Sequence, residues 1–187
     1  SYYKGKNESL YSICDECGFI GGKRLLKERL LYPSIEPDVL NLRYSRVERF
    51  IKDNFYKELK ADISKLSDTE KSLRKLGLNT LSPQLFLNTK LSYDFMIRII
   101  DILNKNDVIV EHFSEYVEDV SKFKQFYEHI NNIFNFKNMI STDKPYFKLG
   151  VYPDLDEVYV TTEVSRKNLE LICSRLSNII DSNKDGA

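Results

Sequence analysis

Cys14 and Cys17 form a Cys-x-x-Cys pair, the arrangement in this chain with the most obvious chemical potential. Such a pair holds zinc when two further ligands join it, or cycles as a redox couple at the start of a helix that follows a strand. The other candidate ligands are Cys173, His112 and His129, none paired at short spacing, and Cys14 and Cys17 fall inside a helical pattern beginning near Ser9. They read as two small side chains one turn apart on a helix, with all three thiols free and reduced. Gly21-Gly22-Lys23 invites a phosphate-loop reading. The pattern Gly-x4-Gly-Lys-Ser/Thr would need glycine and a hydroxyl where Cys17 and Arg24 stand, and no apolar strand precedes it. The glycines read instead as a tight turn with close backbone packing. His112 and His129 sit on what reads as one long helix, separated by roughly 25 Å of helical rise, too far to share a site. Asp154, Asp156 and Glu157 lack calcium-loop spacing; their place in the first turn of a helix, at the positive end of its macrodipole, explains them. No Ser, Cys or Lys has an activating neighbour in sequence, so no catalytic, cofactor or metal residue is expected. Two basic runs remain, Lys23, Arg24, Lys27, Arg29 and Arg43, Arg46, Arg49, which read as solvated helix faces unless they converge in space.

The elements that would position these residues are helices throughout. After Pro153 neither proline nor glycine recurs until Gly186, while Leu155, Val158, Thr162, Leu169, Ile172, Leu176 and Ile179 follow one helical face. From Gly150 to Ile180 this pattern would span roughly 40 Å. Ahead of it come a short helix from Ser9 to Cys17, with Asn7 or Ser9 as cap, and a second from Lys23 to Leu31 ended by Pro33. A third starts at Pro37, and a fourth runs from Asp53 to Leu66 without a clear break. Ser67 and Glu70 make a capping box, and Ser82-Pro83 opens a helix through Leu103. Phe113 to Phe134 forms a second long amphipathic stripe of about 25 residues. Ser141 to Pro153 is the one long non-helical stretch. The expected fold is all-α, a multi-helix bundle with a long projecting helix.

Lys plus Arg equals Asp plus Glu at 28 each in 187 residues, so no bulk positive field points to nucleic acid. No apolar run approaches bilayer length and Ser1 to Lys6 lacks the order of a signal peptide, which makes an intracellular protein the expectation, whether of cytoplasm, nucleus or organelle.

Several stretches, taken together and in order, resemble the core, or lever, domain of the MutS family of DNA mismatch-repair ATPases. Ser9-Leu10-Tyr11-Ser12-Ile13-Cys14-Asp15, Gly22-Lys23-Arg24-Leu25-Leu26 and Leu30-Leu31-Tyr32-Pro33 are similar to the family's short helix and Gly-x-Arg-Leu-Leu helix leading to a proline. Arg43 and Val47 stand where the family has an arginine and an apolar residue one turn later. Asp68-Thr69-Glu70-Lys71 matches an Asp-x-Glu run, Ser82-Pro83 the next helix start, and Gly150-Val151-Tyr152-Pro153-Asp154-Leu155-Asp156-Glu157 the turn into the lever helix. Phe19 and Tyr159 depart from the residues common at those places, threonine and a basic residue, which leaves the subfamily open.

The resemblance implies a fragment of a longer, dimeric protein that binds double-stranded mismatched DNA through a clamp and uses ATP and Mg in a separate ATPase domain. In it residues 1–105 would be a helical core subdomain and residues 106–187 the lever helices leading toward the clamp. This piece would itself be no enzyme; it would transmit ATP-driven change, with Gly150, Pro153 and Leu155 as the lever hinge. Gly22, Arg24, Leu25, Pro33, Arg43, Asp68, Glu70, Asp156 and Glu157 would be its family-motif packing residues, and Lys23, Lys27 and Arg29 its contacts to DNA backbone. The competing expectation is a free-standing α-helical module that binds nucleic acid through Lys23, Arg24, Lys27 and Arg29, or protein through the stripe Phe113 to Phe134.

Overall fold

The computed structural model describes residues 9–52, 54, 56–141 and 144–184, and those residues are all-α. Their one β pairing is an isolated antiparallel bridge between Phe134 and Phe147. The chain divides into two compact units, Ser1–Glu128 and His129–Ala187.

In the first unit, α1 (Leu10–Cys14) is capped by Ser9, whose Oγ accepts from the Ser12 amide at 3.2 Å; Asn7, the other expected cap, lies outside the described residues. The helix stops sooner than its pattern. The Asp15 carboxylate accepts from the Cys17 amide at 3.2 Å and Glu16 N turns back to Cys14 O at 3.0 Å, so Cys17 lies beyond the helix rather than one turn along it. α2 (Ile20–Leu31) begins before the two glycines and takes both into its first turn, where a separate tight turn was expected. The Phe19 ring lies against Gly21: a Cβ there would sit 2.4 Å from a ring carbon, so a larger residue at this position would have to displace the ring.

α3 (Pro37–Lys52) and α4 (Tyr56–Ile63) are separated at Asn54, whose φ of 57° lies in the left-handed region. Asp53, the expected start of the fourth helix, lies outside the described residues. α5 (Thr69–Gly77) is capped by Asp68, one residue later than the capping box suggests: Asp68 Oδ1 accepts from Lys71 N at 3.1 Å. Ser67 is committed elsewhere, its amide and hydroxyl bonding Ser92 Oγ at 2.8 and 2.7 Å. α6 (Pro83–Lys105) starts as its Ser-Pro signal predicts, with Ser82 Oγ accepting from Leu85 N at 3.3 Å. The second long stripe is not one helix. Asp107 (φ 56°) and Phe113 (φ −136°) leave the helical region, giving α7 (Val108–His112), a 3-10 turn at Ser114–Tyr116 and α8 (Val117–Ile133). His112 and His129 therefore lie on different helices.

α6 is the spine of this unit. Leu59 of α4 and Val108 of α7 are buried against it with Phe50, Ile63, Ile99, Ile102, Leu103 and Phe113. Its contact with α5 is made of small polar groups: Thr89 Oγ1 donates to Ser72 Oγ at 2.8 Å, both residues buried. These short hydroxyls satisfy each other and the backbone, so they cost little to bury and leave the helices close together. α8 packs on α6 through Tyr93, whose ring meets Phe123 and Phe126 edge-on at 5.4 and 5.9 Å, and through Tyr127 Oη donating to Asp94 at 2.6 Å. Phe123 and Tyr127 of the stripe are thus engaged within the unit.

The second unit holds a 3-10 turn at Phe136–Ile140 and α9 (Pro153–Lys184), 32 residues or roughly 48 Å of helix. Along α9 the apolar positions Leu169, Ile172, Leu176 and Ile179 are 52–62% exposed. The tail beyond residue 184, including Gly186, lies outside the described residues. No helix among the described residues is long and apolar enough to cross a membrane.

Candidate functional site

The start of α9 is held by backbone pairing, ring contacts and a side-chain bond together. The backbone of residues 145–148 pairs with the end of α8 and the turn after it: Asn135 N donates to Tyr146 O at 2.7 Å and Lys148 N to Ile133 O at 2.8 Å. Asn138 Nδ2 adds a bond to Pro145 O at 2.9 Å. Over this pairing lies an aromatic seat in which Phe147 meets Phe134 at 5.1 Å and Tyr152 at 5.0 Å between ring centres. Gly150 then turns the chain with φ 88°, and a Cβ there would meet nothing within 4 Å; its conformation, not crowding, selects glycine. Its amide donates to Asp156 Oδ2 at 2.7 Å, while Leu155 N and Asp156 N both close on Tyr152 O at 3.0 Å. Pro153 occupies the first helical position, where its missing N–H costs nothing. Leu155 is half exposed and, with Lys144, Pro145, Val158, Tyr159 and Thr162, lines a shallow groove of about 320 Å³. Glu157 points to solvent. The expected hinge residues Gly150, Pro153 and Leu155 thus come together with Asp156. The aromatic seat and the bond from Gly150 to Asp156 had no signal beyond the bare acidic cluster and three scattered aromatics.

A second cluster joins α2 to the start of α5. Arg24 Nη1 donates to Asp68 Oδ1 at 3.1 Å and Glu70 at 2.7 Å, and its Nη2 pairs with Asp68 Oδ2. Asp68 therefore caps α5 and receives a forked guanidinium at once. The Arg24 bond holds its carboxyl below the usual range, assisted by the Lys71 amide and opposed by partial burial, and Arg24 is raised in turn. Gly22 sits close under Cys17, whose Sγ would lie 3.7 Å from an added Cβ. Burial and then the neighbouring Asp15 push the Cys17 thiol up, which keeps it protonated and unreactive. Leu25 and Pro33 are exposed. Among the described residues no three or more His, Cys, Asp or Glu side chains converge on a metal-sized site.

The basic residues do not form one face. Lys23 is tied to Asp15 at 2.9 Å, Lys27 is exposed, and Arg29 lines a groove against α3. Arg46 and Arg49 are not a solvated face, as their run suggested. Arg46 Nε donates to His112 O at 2.7 Å, its Nη2 pairs with Glu115, and its guanidinium lies 4.3 Å over the Phe113 ring. Arg49 donates to Asn106 O at 3.0 Å and to Glu111 at 3.2 Å. Together they grip the α6–α7 corner, satisfying carbonyls that helix ends leave open. A recess of about 870 Å³ in this unit is mostly apolar, lined by Cys17, Phe19, Ile63, Met96, Ile99 and Phe123 among others.

Residues 1–183 match the family model described as MutS domain III. The chain belongs to the MutS domain III family. A DNA mismatch repair protein mutS homolog of Acanthamoeba polyphaga mimivirus is 26% identical over 163 residues, 83% of this chain and 14% of that protein. The DNA mismatch repair protein MutS of Leptospira interrogans is 32% identical over 123 residues, 58% of this chain and 14% of that protein. MutS of Ehrlichia ruminantium is 25% identical over 174 residues, 91% of this chain and 21% of its own length. The chain thus spans about a seventh to a fifth of these MutS relatives. No solved structure matches. Within MutS domain III terms, Arg24, Asp68 and Glu70 meet in one ion-pair cluster and Gly150, Pro153, Leu155 and Asp156 in one helix entrance, whereas Leu25, Pro33 and Arg43 belong to neither.

Proposed function

We propose that this chain is the core and lever region of a MutS-like DNA mismatch-repair protein. Its work is to transmit ATP-driven conformational change between an ATPase domain and a DNA clamp, both outside these residues. The whole protein would bind mismatched double-stranded DNA, hydrolyse ATP with Mg, act as a dimer and work inside the cell or an organelle. The observation that carries the reading is α9: one unbroken helix of 32 residues, held at its start by a glycine turn, a backbone pairing and an aromatic seat. A helix seated at one end turns a small tilt at its base into a larger displacement at its tip. Coupling of about 1–3 kcal/mol between distant sites is typical, and a turn with two packings can carry it.

Gly150, Pro153 and Leu155 form the hinge in this reading. The experiment is Gly150→Val and Leu155→Ala in the full-length protein, followed by ATP-dependent release from mismatched DNA. Valine disfavours the φ of 88° and the leucine change trims the groove, so altered release with unaltered mismatch affinity is expected. Release at the original rate in both variants would refute the hinge.

A further inference from the structure

α9 is continuous in its backbone but not uniform in its residues. From Val158 to Ser165 it runs Val-Tyr-Val-Thr-Thr-Glu-Val-Ser, where Glu163 is the only strong helix former. Val158, Val160, Thr161, Thr162 and Val164 branch at Cβ, so each loses side-chain freedom against the preceding turn and weakens the helix there. Arg166, Lys167, Leu169, Glu170 and Leu171, all good helix formers, follow directly. A hydroxyl acts in the same sense. Thr162 Oγ1 donates to Val158 O at 2.8 Å, the carbonyl that the Thr162 amide also needs in the helical pattern, and such an insertion weakens and bends a helix.

Packing changes at the same place. α9 is half-buried at Asp156, Tyr159, Glu163 and Arg166, the last three lining the shallow groove with Lys144 and Pro145, and it is exposed at every residue from Lys167 through Ile179. Thr162 and Ser165 also interrupt the apolar stripe between Val158 and Leu169. Ser174 makes a similar bond further along, to Leu171 O at 2.9 Å, but a bend there would redirect only the last turns of the helix. A bend at Val158–Ser165 would redirect everything from Arg166 to Lys184, roughly 28 Å of helix.

We infer that α9 carries a joint at Val158–Ser165, separate from the Gly150 turn, where the helix opens and bends so that its tip is redirected while its seated start stays in place. The use of this joint in signalling rests on the transmission reading. Its existence does not, since it follows from residues and bonds within α9.

Hydrogen exchange of the full-length protein, resolved by residue in the mass spectrometer and measured without ATP or DNA, tests the joint apart from transmission. The ATP-dependent release of the hinge variants is then a separate result. After correction for intrinsic rates, amides of residues 161–165 should exchange faster than those of residues 168–171. Burial alone would order them the other way, because Glu163 is half-buried and the helix from Lys167 on is exposed. Val160→Ala, Thr161→Ala and Val164→Ala together, all at exposed positions, should slow exchange at residues 161–165 about ten-fold, the scale of three weak helix formers replaced by the best one. Thr162→Val keeps the branch and loses the hydroxyl, so it should slow exchange by less, and Ser174→Ala should leave residues 161–165 unchanged. Exchange at residues 161–165 no faster than at residues 168–171 would overturn the inference. So would an unslowed triple-alanine variant, or equal slowing by Ser174→Ala.

Discussion

α6 and α9 are the two longest helices, and both carry apolar residues at three-and-four spacing, yet their surroundings are opposite. α6 is covered by α4, α5, α7 and α8, with Thr89, Ser92 and Tyr93 buried along it. Every residue of α9 from Lys167 through Ile179 is exposed. The pattern of a helix states which face is apolar; it does not state what covers that face. α6 carries the core of its unit, whereas among the described residues the contacts of α9 gather at its start.

Truncations should separate the two sharply. Leu59→Ala, in the core against α6, should lower unfolding free energy by about 2–5 kcal/mol in urea titration, the range for buried leucine. Leu176→Ala on α9 should stay within about 0.5 kcal/mol. Comparable losses would mean α9 is covered, and the contrast would fail. Ser82→Ala removes the cap of α6 and should cost about 1 kcal/mol, with early loss of exchange protection at Leu85. Asp68→Asn, at the cap of α5, should cost a similar amount near neutral pH and less in acid. The folded carboxyl lies below its ordinary value of 3.8, so its contribution is present above about pH 4 and is lost as pH falls through the lowered value. A penalty that persists unchanged at pH 3 would show that the charge of Asp68 plays no part. The smallest effect should be kinetic: amides of residues 167–179 should exchange faster than those of residues 89–103 at equal intrinsic rate.

The helix starts were legible in the residues. Ser82-Pro83, Pro37 and Pro153 marked helix starts correctly, because a missing N–H or a capping hydroxyl acts within one turn and needs no tertiary context. The misreadings arose where a distant partner outweighed a local signal. Ser67 fits a capping box, but Ser92 claims it and Asp68 caps instead, held by Arg24 from another helix. Gly21 and Gly22 look like a turn until the Phe19 ring is seen to need the space. The stripe Phe113 to Phe134 breaks at Phe113 because that ring packs edge-on against Phe50 and under Arg46. Arg46 and Arg49 looked solvated since nothing near them in sequence announces the carbonyls of Asn106 and His112. At the candidate hinge the glycine and proline were readable, whereas the seat formed by Phe134, Phe147 and Tyr152 depends on a bridge between residues far apart in the chain.

The most direct test of transmission is a distance measured by pulsed electron paramagnetic resonance in the full-length protein. Spin labels would be placed at Lys75→Cys and Lys167→Cys, with Cys14, Cys17 and Cys173 changed to serine. Transmission through α9 predicts that the distance distribution shifts when ATP is added to the protein on mismatched DNA, and that Gly150→Val reduces the shift. An identical distribution with and without ATP would contradict it.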